Sequence, residues 1–401
     1  MNLITYYINS FKGFRTEIWW LSLVVLINRA GTMVVPFLSL YLTKDLHLSL
    51  QNVGWIMVAF GSGSVIGAWI GGRLCDKVGF YRVMFWSLTL SGVMFVLLQY
   101  THTMLGFGVG IFLLMIVSDS FRPAAYVAIN AYSKPENRTR AVTLIRLSIN
   151  LGFSMGPAVG GLIISTMGYG GLFWIDGVTC ILAGFLILLL LDNRQAAEQQ
   201  KMEEGTSRLS PYKDGHYLLF VFIVFLIAFA FMQYFSTVPL FYKNVHGLSE
   251  RQIGLLLAMN GGLIFLMEMP IIKYLEQSKI STYKILIYST LLLVISFVSL
   301  NLFAWSGILI VGMLFMTYGE LFNFPFLNRF ALDRAQRGRS GAYMALFTMA
   351  FSASNIFSHK SGMYFIEHFG YEFTWFVMSG ILALAMVLLV VLKRMVKGEN
   401  G

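Results

Sequence analysis

Charge is scarce in this sequence. Charged side chains make up 12% of the 401 residues, about half the share of an ordinary soluble domain, while 57% are hydrophobic. A soluble fold is excluded. Cysteine is nearly absent: Cys75 and Cys180 form no metal-binding or redox spacing, and their places at the end of one apolar run and inside another argue against a disulfide. The chain has no nucleophile–base pair, no cluster of metal-ligand residues and no G-x-x-x-x-G-K-[ST] loop for nucleotide phosphates. These absences argue against an enzyme, against ATP as energy source and against any cofactor. Heptads and low-complexity tracts are missing too. Lys12 and Arg15 precede the first apolar run, but that run is too long for a signal-peptide core and has no A-x-A site.

What is present is a series of membrane-length apolar runs, each close to the ~20 residues needed to cross a bilayer. Twelve are expected: 17–42, 50–73, 80–100, 104–129, 140–165, 170–192, 216–243, 250–275, 281–304, 306–330, 339–364 and 370–393. Of the 29 Lys and Arg, 23 fall on one side of this arrangement. Lys44, Lys243 and Arg251 fall on the other, and Arg29, Arg122 and Lys360 lie within spans. The bias places both termini in the cytoplasm. It also accounts for the net charge of +10 as membrane orientation, so no nucleic-acid partner is inferred.

The second half repeats the first. Gly54 is matched by Gly254, Met167-Gly168-Tyr169 through Trp174 by Phe369-Gly370-Tyr371 through Trp375, and Pro36 ahead of Tyr41 by Pro239 ahead of Tyr242. An all-α membrane protein is expected, with a six-helix N-terminal half over 1–192, a solvated cytoplasmic linker over 193–215 and a six-helix C-terminal half over 216–401. Two like-oriented halves are the plan of a secondary transporter whose site lies between the repeats.

Two motifs sharpen this reading. After span two comes Gly72-Arg73-Leu74-Cys75-Asp76-Lys77-Val78-Gly79-Phe80-Tyr81-Arg82. Gly72 and Gly79 permit a close approach and a tight turn. Asp76, flanked by Lys77 and Arg82, can hold a charge network. The pattern resembles the loop signature of the major facilitator superfamily, G-x-L-x-D-[RK]-x-G-[RK]-[RK], with Tyr81 as a small departure. The resemblance implies a gate that latches the halves while the protein faces outward. Glu276-Gln277-Ser278-Lys279 is its degenerate copy. In span five, Gly152, Gly156, Pro157, Gly160 and Gly161 resemble the superfamily's antiporter motif, G-x-x-x-G-P-x-x-G-G. Its glycines admit a neighbouring helix and its proline bends its own; in the family the motif accompanies exporters that exchange substrate for protons.

Ionisable groups inside spans mark ion or substrate paths. Arg29, Asp119, Arg122, Glu268, Glu320 and Lys360 qualify; Asp176 and Glu17 lie nearer span ends. Asp119 and Arg122, three apart, share a helical face, and Arg29 beside Asn28 can compete for Asp119. Glu320 has no basic neighbour in its own span and occupies roughly the repeat position of Asp119. Proton coupling is assigned to Glu320, Asp119 and Glu268, with Arg29 and Arg122 as charge partners; pairing with Lys360 is the alternative for Glu268. Span four departs from the superfamily's usual continuation after its arginine, since Pro123-Ala124-Ala125 follows Arg122. Asn28, Tyr126, Tyr234, Tyr318 and Asn323 are candidates for cavity lining. The expected function is a proton-gradient-driven exporter of amphiphilic or cationic small molecules, similar to bacterial drug:proton antiporters, working by alternating access as a monomer in a bacterial plasma membrane. The alternatives are a proton symporter importing a peptide, sugar or other nutrient, and a lipid or lysolipid flippase.

Overall fold

A computed structural model describes residues 3–30, 33–191, 209–248, 250–278, 280–302, 305 and 307–399. Most of the 193–215 linker lies outside them. The described residues are helical throughout, apart from short connections and an isolated bridge between Leu209 and Gly338. Among them, nine stretches are long and apolar enough to cross a membrane. Ser340–Val396 holds two spans joined at Gly370, Arg138–Leu190 likewise holds spans five and six joined at Gly168, and span one is divided into two helices. The fold is therefore the twelve-helix bundle of two repeats expected from the sequence.

The repeat signatures are structural devices. Gly168 and Gly370 share a backbone conformation, φ 71° with ψ −175° and φ 80° with ψ 175°, that a Cβ would penalise. Each glycine reverses the chain between the last two spans of its repeat. The aromatics after each turn grip the outer helix of the repeat's first span. Tyr41 packs on Tyr169 and Phe173, with ring centroids 5.9 and 5.0 Å away. Phe241 packs on Tyr371 and Trp375 at 5.3 and 5.5 Å. This corrects the sequence register by one residue: Phe173, not Trp174, stands opposite Trp375. Trp375 is fully buried and Trp174 is exposed.

The first span of each repeat is broken. Span one comprises Thr16–Ala30 and Val34–Lys44. The backbone N–H of Met33 donates to both carboxylate oxygens of Asp176 (2.9 and 3.0 Å), and that of Val34 donates to Oδ2 (2.8 Å). Asp176 thus satisfies donors that open any helix, and Pro36, two residues on, has none to satisfy. By sequence Asp176 belongs near a span end; the structure buries it completely in span six. Span seven is broken into Gly215–Phe231, Gln233–Ser236 and Val238–Asn244, with Pro239 near the start of the last piece. Here the buried Gln233 does the tying. It donates to the carbonyl of Ser358 (2.9 Å) and accepts from the Thr237 hydroxyl (2.7 Å).

Glycines set the closest helix contacts. A Cβ on Gly152 of span five would lie 2.5 Å from Arg29 Cβ and 2.8 Å from the backbone nitrogen of Ala30. One on Gly160 would lie 2.8 Å from the Phe37 ring, whereas one on Gly161 would meet nothing within 4 Å. In span two, Gly63, Gly67 and Gly71 press in the same way on Phe112, Ile116 and Ser120 of span four.

By internal packing the chain forms two compact units. One is Gly13–Ser210 with Leu332–Met349; the other is Met1–Lys12 with Pro211–Ala331 and Ala350–Gly401. The inner ends of spans ten and eleven thus belong with the N-terminal repeat, and the helix Leu3–Ser10 belongs with the C-terminal one, where the Tyr7 hydroxyl reaches the carbonyl of Phe265 (3.5 Å).

This packing makes two variants informative. Asp176→Ala leaves buried N–H donors without an acceptor and is expected to cost about 1–3 kcal/mol, seen as a lower unfolding temperature in detergent; Asp176→Asn keeps one acceptor oxygen and falls between. Gly152→Leu forces side chain into backbone and is expected to destabilise by at least about 1–3 kcal/mol, while Gly161→Ala leaves the unfolding temperature unchanged.

Candidate functional site

Each repeat places one acid on its fourth span and ties it to a polar side chain on its second. In the N-terminal repeat the Ser64 hydroxyl donates to Asp119 Oδ2. In the C-terminal repeat the Asn260 amide donates to Glu320 Oε2 (3.2 Å) and to the Thr317 hydroxyl (3.0 Å). Both carboxylates are buried. The local reasons differ. Glycines 63, 67 and 71 draw span two so close to span four that a serine suffices. In span eight Gly254, Gly261 and Gly262 would meet nothing within 4 Å, and the longer Asn–Glu pair bridges instead. The glycine stripe of span two is not among the motifs singled out from the sequence; its four-residue spacing is the signal that marks it.

A proline follows both acids, and beside Asp119 the helix breaks. The helix Met104–Asp119 ends at Asp119 and Phe121–Tyr132 follows, because Pro123 cannot donate to the carbonyl of Asp119, four residues back. The Ser120 hydroxyl at this break donates to the carbonyls of Gly67 (3.0 Å) and Ile116 (2.8 Å). Pro325 sits inside Gly307–Ala335 and frees the carbonyl of Leu321, next to Glu320. Glu268, in a helix that also holds Pro270, is fully buried. Lys360 is exposed, and no ion pair joins it to Glu268 among the described residues.

Arg29 ends the first helix of span one. It lies within electrostatic reach of Arg122, Asp119 and Tyr126, so the expected grouping of Arg29, Asp119 and Arg122 does form. Tyr126 is also within reach of Arg146, which by sequence counts among the orientation charges. Arg146 stands eight residues into the helix that starts at Arg138, about 12 Å along its axis. Its position well inside the 140–165 run is the signal that distinguishes it from those charges.

The other proposed cavity residues divide. Tyr126 and Tyr318 are half-buried. Tyr126 meets the Phe347 ring edge-on (centroids 5.8 Å), and Tyr318 stacks on Phe322 and points its hydroxyl at Met267 Sδ (3.7 Å). Asn28 is buried, with its amide 3.5 Å from Cys180 Sγ. Tyr234 and Asn323 are completely buried and line no open cavity in this conformation. Tyr234 packs on Phe297 (4.9 Å), and Asn323 donates to Ser289 (2.9 Å) and Thr290 (3.0 Å) of span nine.

At the loop between spans two and three, Gly79 turns the chain with φ 86°. Asp76 receives the first free backbone donors of the helix that begins at Ser340: the N–H of Gly341 (2.8 Å) and of Ala342 (3.0 Å). A carboxylate at a helix N-terminus also meets the positive end of the helix dipole. Gly72 and Gly341 allow the contact, since a Cβ on either would collide with the other's carbonyl. Lys77 and Arg82 of the motif are exposed. Two further ties hold the 332–349 segment to the N-terminal repeat. Arg138 pairs with Asp333 at 2.7 Å, and the Gln336 amide meets Asn130 at 3.2 Å. The 209–210 end of the linker adds a third, from the Arg339 N–H to the Leu209 carbonyl (3.3 Å).

Comparison with known proteins agrees with this architecture. The chain is 22% identical over 395 residues to the Na(+), Li(+), K(+)/H(+) antiporter of Planococcus maritimus, covering 90% of this chain and 91% of the relative. It is 23% identical over 242 residues to Multidrug resistance protein 2 of Bacillus subtilis, covering 57% and 58%. The crystal structure of the human organic anion transporter TETRAN superposes with a TM-score of 0.74 at 15% identity, over 94% of this chain and 99% of that one. The sequence pattern of the Major Facilitator Superfamily matches residues 21–359, and this chain is a member of that superfamily of multi-pass membrane transporters.

Proposed function

We propose that this protein is a proton-coupled exporter of amphiphilic small molecules, working by alternating access in a plasma membrane with both termini in the cytoplasm. The observation that carries the reading is the pair of repeat-related acids, Asp119 held by Ser64 and Glu320 held by Asn260. A buried carboxylate in contact with a neutral hydrogen-bonding group can take up and release a proton as its surroundings change. The neighbouring prolines place a weakened backbone next to each acid, where a helix can bend as it does so. Glu268 is a further buried acid, in the C-terminal repeat. The span-five glycine motif and the likeness to a cation/proton antiporter and a multidrug resistance protein favour exchange over symport. The cationic form of the reading rests on Glu320 and Glu268, which stand in the C-terminal repeat.

The Asp76 contact serves as the cytoplasmic latch. It closes one conformation by a charge–dipole interaction and releases when that helix end moves away. Arg138–Asp333 reinforces it.

In inside-out vesicles with an acidic lumen, addition of an amphiphile that the protein exports is expected to release luminal protons. Glu320→Gln should abolish this release in protein that still folds; unchanged coupling in that variant overturns the role of Glu320, and release only from vesicles preloaded with substrate identifies an importer. The latch has a native reporter in Cys75, buried where residue 341 covers it. Asp76→Asn removes the charge from the helix end and is expected to raise the alkylation rate of Cys75 about two- to tenfold, located by mass spectrometry; an unchanged rate means the contact does not hold the gate.

A further inference from the structure

We infer that His359 of span eleven is a water-facing protonation site coupled to Glu320. The inference rests on the proton-coupled reading and adds a proton-carrying group to it. The helix from Ser340 to Gly370 is about 45 Å long and crosses ~30 Å of hydrocarbon. His359 stands eleven residues before Gly370, about 16 Å from that turn, and so lies inside the apolar layer. Ser352, Asn355 and His359 recur at helical spacing and share one face. Asn355 and His359 are exposed there. Phe357, also exposed, lies about 200° round the helix from His359. A polar stripe with accessible surface at membrane depth faces water-filled space, not lipid, and a histidine in that setting serves proton relays. The offset between Gly168 and Gly370 sets Ser358-His359-Lys360 where span five has Gly156-Pro157-Ala158, so the second repeat carries ionisable groups where the first carries its packing motif.

Contacts on the neighbouring faces fix this orientation. The Gln233 amide of span seven donates to the Ser358 carbonyl (2.9 Å), and a Cβ on Gly362 would lie 2.1 Å from Gln233 Oε1, so that edge of span eleven is held on span seven. The Phe351 ring meets Phe324 of span ten, with centroids 5.6 Å apart. From that contact toward the Gly370 turn, Glu320 is four residues away along span ten and His359 eight along span eleven. His359 therefore lies about 6 Å nearer the turn than Glu320. Its Nδ1 is 3.0 Å from the Asn355 carbonyl oxygen and 3.4 Å from the Ser358 hydroxyl. A carbonyl only accepts, so Nδ1 carries the hydrogen. Nε2, which has no hydrogen-bond partner among the described residues, is the nitrogen that takes and returns a proton. The titratable groups nearby are Lys360 on the same helix and Tyr318 and Glu320 on span ten. Span seven has no charged residue between His216 and Lys243, and span twelve none between Glu372 and Lys393.

The test is a pH titration, followed by NMR, of the imidazole carbon resonances of the purified full chain in detergent. The His359 signal is the one missing from His359→Asn, which keeps a donor in the place of Nδ1 but cannot take a proton. That signal is expected to titrate, and its midpoint to shift by about half a pH unit or more in Glu320→Gln. A signal that does not respond to pH, or a midpoint unmoved by Glu320→Gln, overturns the assignment. Should Glu320→Gln fail to fold, the unaltered protein still decides. Diethyl pyrocarbonate, added to proteoliposomes and located by mass spectrometry, is expected to modify His359 as well as the exposed His368 beside the turn; modification of His368 alone overturns the water-facing site. Because both readouts are made without transport, a chain in which His359 and Glu320 titrate together but which moves no protons in vesicles refutes the exporter reading and leaves this one standing.

Discussion

In a bilayer no backbone N–H and no buried charge can turn to water for a partner. Much of the irregular detail in this structure is an answer to that constraint. Span one is broken, so the first donors of its second helix must go somewhere, and Asp176 takes those of Met33 and Val34. Span seven, its counterpart in the second repeat, is broken too and is tied by Gln233 instead. Asp119 and Glu320 each sit against a polar residue of the second span in their repeat. The same requirement operates at the loop between spans two and three, where the first donors of the helix from Ser340 are met by Asp76.

The repeats solve the same problem with different side chains, and the difference is informative. Ser64, a short side chain, reaches Asp119 because three glycines bring two helices into backbone contact; the glycines of span eight meet nothing, and there the longer side chains of Asn260 and Glu320 meet. Asp119 lies within electrostatic reach of Arg29, whereas the C-terminal repeat holds two buried acids, Glu268 and Glu320. A proline follows each acid, and Pro123 leaves the carbonyl of Asp119, as Pro325 leaves that of Leu321, without its helical donor.

Span lengths, the Lys and Arg bias, the repeat and the gate motif are all legible in the amino-acid sequence. They follow from local composition, because the bilayer imposes a length and a polarity on each segment separately. The repeat position of Asp119 and Glu320 is readable for the same reason. Where sequence and structure part, the missing quantity is the facing of a helix. Tyr234 and Asn323 fall within the spans expected to line the cavity but turn toward packed neighbours. Asp176 reads as a residue near a span end, although it is fully enclosed. Arg146 reads as an orientation charge because it is basic and close to a span end, although it lies some 12 Å into the helix.

The sequence by itself therefore determined the number of spans, their pairing into repeats, the gate motif and the short list of intramembrane charges, since each depends on residues adjacent along the chain. Only the tertiary structure decided which donors Asp176 and Asp76 satisfy, that Arg138 meets Asp333, and that Phe173 rather than Trp174 answers Trp375. These are contacts between residues far apart in the chain. They depend on how each helix is rotated about its axis and how closely its glycines let it approach, and neither quantity is written in the hydropathy of a single segment.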